Sequence, residues 1–242
     1  MARTDLASQI TSKQSKRSLV QDGLLVITAA FMAITLYLVF FWVPTDQNLG
    51  ISQRILYFHV PISILALSSI VIVAVASFVH LVKKHEEWDS FAYAGAEVGM
   101  LLASLSIITG AMWGKPTWGT WWTWDPKLTL TLVLWFVYVG YLMLRAYGPK
   151  GSQGARYGAV VALIGAIDAP IVYYAANLWR TTHPSHVVGP TADSGSLDSM
   201  MAVGLLVSMV TFTLLYVYMV IERYTLRRSE ASVDELFRLK AY

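Results

Sequence analysis

The chain has 242 residues, of which 56% are hydrophobic and only 14% are charged. Soluble globular domains have an apolar share nearer ~45 to 50%, so this composition excludes an ordinary soluble domain and indicates a polytopic membrane protein. The net charge is only +3, and the basic residues fall in alternate loops, as membrane topology requires. We therefore expect membrane lipids, and no nucleic acid, around the chain.

Six continuous apolar segments are long enough to cross a hydrocarbon core, which takes roughly 17 to 25 helical residues. They lack the alternating pattern of membrane-barrel strands. We therefore predict an all-α fold, with residues 1–242 forming a single six-helix transmembrane domain. The predicted spans are residues 24–43, 60–82, 91–113, 128–144, 157–179 and 199–221, and residues 114–127 form an external segment.

The basic residues predict the orientation of these spans. If the N-terminus is cytoplasmic, all but four of the 18 lysines and arginines lie on the cytoplasmic side; the four outside are Arg54, Lys115, Lys127 and Arg180. This distribution obeys the positive-inside rule, so both termini are predicted to be cytoplasmic. Residues 1–17 are expected to form a flexible tail, and residues 222–242 a charged and partly helical one.

The segment after span 1 carries the first candidate ligand. It ends Arg54-Ile-Leu-Tyr-Phe-His59-Val-Pro61, and proline suits the first turn of a helix, where its missing N–H is not needed. His59 is therefore predicted at the outer mouth of span 2. At the inner end of the same span, His80 and His85 lie beside lysines and are expected to be solvated.

Span 3 carries Glu97 near its inner end, between Gly95 and Gly99. A G-x-x-x-G pattern permits close helix packing, and a shallow carboxylate can pair with a local cation. Both features are therefore predicted to be structural.

Between spans 3 and 4 stands a stretch with four tryptophans in seven residues, Trp118-Gly-Thr-Trp-Trp-Thr-Trp-Asp-Pro-Lys-Leu-Thr129. An aromatic belt at the membrane interface is the simplest explanation. If residues 117–125 are helical, however, Trp124 points away and one face is shared by Trp118, Trp121, Trp122 and Asp125. Such a face offers stacking area and N–H donors to a large planar ligand.

Asp125 can act in either of two ways. Followed by Pro126, it fits a helix N-cap with proline at the first helical position. It can equally face a ligand on the tryptophan surface, and the sequence leaves both roles open.

Span 5 carries Asp168 close to mid-membrane, where a carboxylate costs ~2.5 to 3.5 kcal/mol on insertion. Asp168 is therefore a candidate for function, and a protonated, hydrogen-bonded packing residue is the alternative. The span ends Trp179-Arg-Thr-Thr-His183-Pro-Ser-His186. This makes His183 a second candidate ligand, and spacing alone does not separate it from His186.

Alternation of the spans brings His59, the tryptophan stretch and His183 to one side of the membrane. Two neutral imidazoles can ligate a haem iron from opposite faces of the porphyrin. Haem propionates require cations, and the external cations near these elements are Arg54, Lys127 and Arg180. Because the chain contains no cysteine, such a haem would be held non-covalently.

The tryptophan stretch closely resembles the WWD signature of haem-handling membrane proteins, W-G-x-W-W-x-W-D-x-R-L-T. It departs from that signature only at Lys127, which keeps the charge of the family's Arg but loses its bidentate geometry. With six spans and a candidate histidine on each side of the signature, nearly the whole chain resembles the CcmC family of cytochrome c maturation (System I). Two further family segments, R-I-x-Y-x-H-V-P and W-x-T-x-H, match residues 54–61 and 179–183.

The resemblance implies that His59 and His183 are the axial ligands and that Trp118, Trp121, Trp122 and Trp124 form the platform. It implies a multi-pass protein of the inner (cytoplasmic) membrane that binds haem b, iron protoporphyrin IX, at the periplasmic surface. The bound haem would be presented for covalent attachment to the haem chaperone CcmE. The ABC-type complex CcmAB and the small single-span CcmD are the other implied partners.

This role is that of an assembly protein that assists haem transfer, rather than that of a classical enzyme. Two alternatives come from the same superfamily: a cytochrome c synthase (haem lyase) and a haem transporter that uses Asp168. The synthases are longer chains with a further buried histidine pair, which this sequence lacks. A b-type electron carrier is disfavoured because it needs histidines in the middle of its spans.

Overall fold

The computed structural model describes the backbone of residues 2–179, 181–184 and 197–240, and the side chains of residues 19–179, 181–184, 197–230 and 233. Six helices account for most of them: α1 (Ala2–Tyr37), α2 (Leu56–Lys83), α3 (Glu86–Trp118), α4 (Pro126–Tyr147), α5 (Ser152–Leu178) and α6 (Ser199–Lys240). Over the described backbone there is no β-strand beyond a single bridge between Asp46 and Gly50.

Six helices in the described part of the chain are long and apolar enough to cross a membrane. The prediction of an all-α, six-span membrane protein is therefore confirmed. Each predicted span overlaps one helix, and most of the helices extend beyond the apolar run. They do so because a helix satisfies its own backbone hydrogen bonds, so polar residues at its ends can continue it beyond the hydrocarbon region.

The N-terminal segment differs from the prediction, whereas the helical character predicted for part of the C-terminal segment is confirmed. Residues 2–17 belong to α1, so the flexible tail predicted there is wrong; residues 2–22 contain neither glycine nor proline, the two residues that most disfavour a helix interior. At the other end, α6 continues without interruption from its apolar part to Lys240.

The helices form a bundle in which α2 packs against α3, α5 and α6, while α4 packs against α3 and α5. These contacts make a ring of α2, α3, α4 and α5, and α1 packs outside it against α6. We call one end of the bundle the tryptophan end: there α1, α3 and α5 end and α2, α4 and α6 begin. The opposite end is the basic end.

Small residues allow the ring to close tightly. A Cβ at Gly95 would lie 3.1 Å from Cγ2 of Val73, and a Cβ at Gly99 would lie 2.5 Å from the hydroxyl of Tyr138. Tyr138 is fully buried and donates a hydrogen bond to the backbone carbonyl of Ala66 at 2.8 Å. The predicted packing role of the G-x-x-x-G pattern is confirmed.

This contact gives a stability prediction. We expect Gly99→Ala to destabilise the protein by about 1 to 3 kcal/mol, because the new methyl must displace the Tyr138 ring from a packed core. Gly140→Ala is the matched control, since nothing lies within 4 Å of a Cβ there. Thermal unfolding in detergent should show a lower midpoint for Gly99→Ala only; equal midpoints for the two variants would contradict the packing argument.

Ion pairs join the helices near the basic end. Arg223 of α6 donates to both carboxylate oxygens of Glu97, at 2.9 and 2.5 Å, which confirms the local pairing predicted for Glu97. Arg145 of α4 makes a bidentate pair with Asp89 of α3. These pairs hold α3 to α4 and α6 on the side of the bundle remote from the tryptophans.

His80 departs from the prediction of a solvated residue. It is buried, and its Nδ1 lies 3.0 Å from the backbone carbonyl of His85. Lys84 adopts a left-handed conformation with φ 57°, and this turn brings the carbonyl of His85 back over the end of α2. His85 itself is exposed, as predicted.

Candidate functional site

A cavity of about 170 Å³ lies within the ring of α2, α3, α4 and α5 and opens at the tryptophan end. Its wall is mostly aliphatic, with residues such as Ile64, Leu67, Ile107, Leu128 and Val172. A few polar side chains reach the same wall: His59, Ser63, Ser106, Lys127, Thr131 and His183. An apolar cavity with a few convergent polar groups is the usual form of a ligand site.

His59 lies in the first turns of α2 rather than in the segment before it. The helix begins at Leu56, four residues before the predicted start of span 2 at residue 60, so Pro61 falls beyond its first turn. The imidazole ring packs between α2 and α3. A Cβ at Gly110 would lie 3.0 Å from its Cε1 atom, which shows how closely α3 approaches the ring.

The hydrogen bonds of His59 define the state of its ring. Its Nδ1 lies 2.9 Å from the hydroxyl of Thr109, and its Nε2 lies 3.5 Å from the hydroxyl of Ser63. Ser63 is in turn 2.6 Å from Ser106. The ring is therefore held firmly on its Nδ1 side and only loosely at Nε2.

His183 reaches the same wall from the segment after α5. Its Nδ1 lies 2.9 Å from the backbone carbonyl of Pro184. A carbonyl can only accept, so Nδ1 carries the proton and Nε2 keeps its lone pair. Burial away from water, together with the charge of Lys127, lowers the pKa of His183 to about 3. The imidazole is therefore neutral at neutral pH, which is the form that ligates metals.

The tryptophan stretch is not helical beyond its first residue. Helix α3 ends at Trp118, and Gly119 follows in the left-handed conformation with φ 77°. The predicted helical face across residues 117–125 is therefore wrong: a glycine at this position ends a helix readily. Residues 119–125 form an extended loop that leads into α4.

This loop separates the four tryptophans into two pairs. Trp118 and Trp122 line the cavity, whereas Trp121 and Trp124 are 58% and 75% exposed. Trp118 also lies beside His183, with ring centroids 6.4 Å apart. A further tryptophan, Trp113 of α3, lines the cavity and packs edge-to-face against Trp118 at 5.5 Å.

Two indole N–H groups in the cavity wall are buried and have no hydrogen-bond partner among the described residues, those of Trp113 and Trp122. Unpaired buried donors are uncommon, because each forfeits its hydrogen bond to water. Both indoles belong to edge-to-face pairs, Trp113 with Trp118 and Trp122 with Trp124, where π faces are the nearest weak acceptors. They are donors available to a ligand that rearranges these rings.

The external cations are separated by the fold. Lys127 is the second residue of α4, and it lines the same cavity as His59 of α2 and His183 of the segment after α5. Arg54 does not line it: its guanidinium donates to the carbonyl of Val39 and lies over the ring of Phe40. Arg180 lies outside the described residues, as does His186.

Asp125 is the N-cap of α4, where its Oδ1 accepts from the backbone N–H of Leu128 at 3.0 Å. Its Oδ2 accepts from the hydroxyls of Thr182 at 2.7 Å and Thr123 at 3.0 Å. Burial opposes its charge, but these hydrogen bonds outweigh burial and lower the pKa of Asp125. It does not reach the described cavity wall; it ties the tryptophan loop to the segment that carries His183.

Asp168 lies in α5, one helical turn from the cavity residue Val172, but is not part of the described wall. Its Oδ2 is buried and has no hydrogen-bond partner among the described residues. The hydrogen-bonded packing alternative considered for Asp168 is therefore not what the structure shows for this oxygen.

Sequence reasoning missed the side chains that support the ligand candidates: Ser63, Ser106, Thr109, Gly110, Trp113 and Thr182. They lie within apolar runs or beside recognisable motifs, and most of them make their contacts with another helix or segment. The only local signal was a threonine and a glycine side by side, at 109 and 110, near the C-terminal end of span 3.

The fold and the cavity together define a polytopic membrane protein with a mostly apolar cavity at one end of its helix bundle. The chain belongs to the CcmC family, described as "Heme exporter protein C", whose model matches residues 4–236.

Curated relatives agree with this membership. The chain is 37% identical to "Heme exporter protein C" of Bradyrhizobium diazoefficiens over 175 residues, which are 72% of this chain and 66% of that protein. It is 37% identical to the Escherichia coli K12 protein of the same name over 177 residues, covering 73% and 70%. A Marchantia polymorpha protein named "Putative cytochrome c biosynthesis ccmC-like mitochondrial protein" is 35% identical over 156 residues, covering 64% and 66%.

Proposed function

We propose that this chain binds haem b non-covalently, with His59 and His183 as the two axial ligands of the iron. The observation that carries the proposal is the pairing of the two imidazoles: they come from distant parts of the chain and line one cavity. His183 keeps its Nε2 lone pair, because its Nδ1 donates to a backbone carbonyl. Two imidazoles that line one mostly apolar cavity form a donor set that suits a porphyrin iron.

The rest of the wall suits the other parts of haem. The aliphatic residues of α2, α3, α4 and α5 provide an apolar surface for the macrocycle. Trp118 and Trp122 provide flat indole faces for stacking. Lys127 supplies a positive charge for a propionate, and the buried N–H groups of Trp113 and Trp122 are further donors for its oxygens.

The exposed tryptophans and the more distant arginines complete the proposed site outside the cavity. Trp121 and Trp124 extend the aromatic surface outward, where a protein that receives the haem can contact it. Arg180 is proposed as a second propionate cation because it stands three residues before His183 in the sequence. Arg54 is proposed to support the site indirectly, because it is bound to the end of α1.

The biological role follows from the family. We infer that the chain works in cytochrome c maturation, in the inner membrane, and presents haem at the periplasmic face to CcmE, alongside CcmAB and CcmD. What the chain contributes is positioning: two fixed imidazoles and a cation hold the haem in one orientation, so that a bimolecular search becomes a reaction in a fixed geometry. The covalent bond to haem forms on CcmE and not on this chain.

Reconstitution tests this role. Detergent-purified chain, loaded with haem, is mixed with apo-CcmE or with apocytochrome c, and covalent haem is detected by haem stain after denaturing electrophoresis. We expect covalent haem on CcmE only when the chain is present, and none on apocytochrome c. Covalent haem on apocytochrome c from this chain alone would identify a synthase instead, and haem on neither acceptor would contradict presentation.

A further inference from the structure

The Nδ1 side of His59 is held by a side chain on a neighbouring helix. The hydroxyl of Thr109, on α3, lies 2.9 Å from Nδ1. The same hydroxyl lies 2.7 Å from the backbone carbonyl of Leu105 and 3.3 Å from that of Ser106, one turn earlier in α3.

Counting protons decides the direction of these bonds. A threonine hydroxyl has one proton to donate and lone pairs with which to accept. A carbonyl can only accept, so the proton of Thr109 goes to Leu105 at the shorter distance, and the contact with His59 must then be an N–H from Nδ1 to the hydroxyl. This count favours the His59 tautomer with a proton on Nδ1 and a lone pair on Nε2.

Gly110 fixes the position of the same ring. A Cβ there would come within 3.0 Å of Cε1, 3.7 Å of Nδ1 and 3.8 Å of Nε2. An alanine at this position would require the imidazole to move by a few tenths of an ångström. Thr109 and Gly110 thus position the His59 ring together. Thr109 contacts the ring through a hydrogen bond, and Gly110 has no side chain that would displace it.

We propose that Thr109 is a positioning residue that holds His59 with its Nε2 lone pair directed at the cavity, ready to ligate the haem iron. This inference rests on the proposed function, in which His59 is an axial ligand. The two ligands differ in how they are held: His183 donates to a backbone carbonyl, which no substitution removes, whereas the Nδ1 side of His59 meets the hydroxyl of Thr109 beside the backbone carbonyl of Ser106. The basicity of the His59 ligand can therefore be tuned by the residue at position 109.

The hydrogen bond has an electronic consequence as well as a geometric one. An imidazole that donates from Nδ1 becomes a more basic ligand at Nε2, and a more basic ligand favours the ferric over the ferrous iron. Loss of the bond should therefore raise the reduction potential of the bound haem. Loss of such second-shell partners typically weakens metal binding by about 10- to 100-fold.

The first test is made without haem. Nitrogen-15 NMR of histidine-labelled, haem-free protein near pH 7 reports which ring nitrogen carries the proton, and the His59 signals are assigned by their absence from His59→Gln. We expect a protonated Nδ1 and a bare Nε2 in the wild type and in Thr109→Ser. In Thr109→Val, which has the same shape but no hydroxyl, we expect the population to shift toward the Nε2–H form.

The second test uses haem titration and potentiometry of the same variants. Thr109→Val should bind haem about 10- to 100-fold more weakly and at a higher reduction potential, and Thr109→Ser should restore both. Gly110→Ala should weaken binding by moving the ring, while Thr109 still sets the tautomer. The control is Thr213→Val on α6, where an exposed threonine only donates to its own helix.

Three results would overturn the proposal: a wild-type His59 protonated on Nε2, a Thr109→Val variant with unchanged tautomer and potential, or a Thr109→Ser variant as defective as Thr109→Val. Failure of the proposed function is distinguishable from these results. It would appear as wild-type protein that takes up no haem, while the haem-free tautomer of His59 could still be measured.

Discussion

Replacing both His59 and His183 with glycine is expected to abolish the Soret band of the purified protein. Each imidazole would supply one axial bond to the iron, and the cavity wall otherwise offers only hydroxyls, indoles and a lysine as polar groups. No cluster of three or more metal-ligating side chains exists among the described residues to replace them. The measurement is an absorption spectrum of detergent-purified protein after haem loading and gel filtration.

The single variants sharpen the assignment. His59→Gly and His183→Gly should each retain a weaker band, because one ligand remains, and free imidazole should restore it by filling the space that the glycine leaves. His85→Gln is the control, since His85 is exposed at the basic end. An unchanged spectrum in the double variant would refute the ligand assignment. A His183→Gly variant with an intact spectrum that is lost only after His186→Gly would move the second ligand to His186.

The fold was predictable because its signals are local. An apolar run of about 20 residues indicates a membrane span regardless of the residues that pack around it. Alternation of the spans then places His59 and His183 at the same end of the bundle. The two histidines could therefore be paired from sequence. Their hydrogen-bond partners could not, because Thr109 meets His59 from another helix, 50 residues away.

The conformation of the tryptophan loop was predicted wrongly for a reason visible in its residues. Three tryptophans and Asp125 at helical spacing favoured a helix, but Gly119 in the left-handed region and Asp125 as an N-cap end one helix and begin another within seven residues. The spacing of side chains was a weaker determinant than the two boundary residues. Capping residues are therefore a better guide than periodicity in such a short connection.

Arg54 shows that a cation close to a candidate ligand in the sequence can instead donate a hydrogen bond to a backbone carbonyl. The chain leaves α1 through a π-helical turn, Leu38–Trp42, and the last carbonyls of a helix need donors from elsewhere. Arg54 supplies one to Val39 and also lies 3.4 Å from the hydroxyl of Thr45. The count of predicted external cations identified Arg54 as a candidate propionate partner. The sequence does not reveal that the carbonyl of Val39, in the π-helical turn after α1, accepts a hydrogen bond from Arg54.

Removal of Asp125 is expected to have the second largest effect on the site. Asp125→Ala loses the N-cap of α4, worth about 1 kcal/mol, and also the hydrogen bonds from Thr182 and Thr123. A partly exposed hydrogen bond contributes about 0.5 to 1.5 kcal/mol. If the lost bonds free the His183 segment from the tryptophan loop, haem affinity should fall by roughly 10- to 100-fold, at about 1.4 kcal/mol per factor of ten.

Two further variants separate capping from linkage. Asp125→Asn keeps a good N-cap but replaces Oδ2, the acceptor for both threonines, with an amide. Thr182→Val leaves Asp125 and α4 intact and removes the 2.7 Å hydrogen bond from the His183 segment, while the hydrogen bond from Thr181 to Asp125 remains. Both should lower haem affinity by roughly 2- to 10-fold with little change in thermal midpoint, whereas Asp125→Ala should lower both.

The pH dependence of the link follows from the charge of Asp125. Its pKa is lowered in the folded protein, so the stabilisation from its ionised form is fully present above the ordinary value of 3.8. It is lost only as the pH falls through the lowered value. Haem titrations at pH 7 and pH 5 should therefore show the same ratio between Asp125→Asn and wild type. A ratio that collapses toward one at pH 5, or an Asp125→Ala variant that binds haem as tightly as wild type, would show that Asp125 does not hold His183 in place.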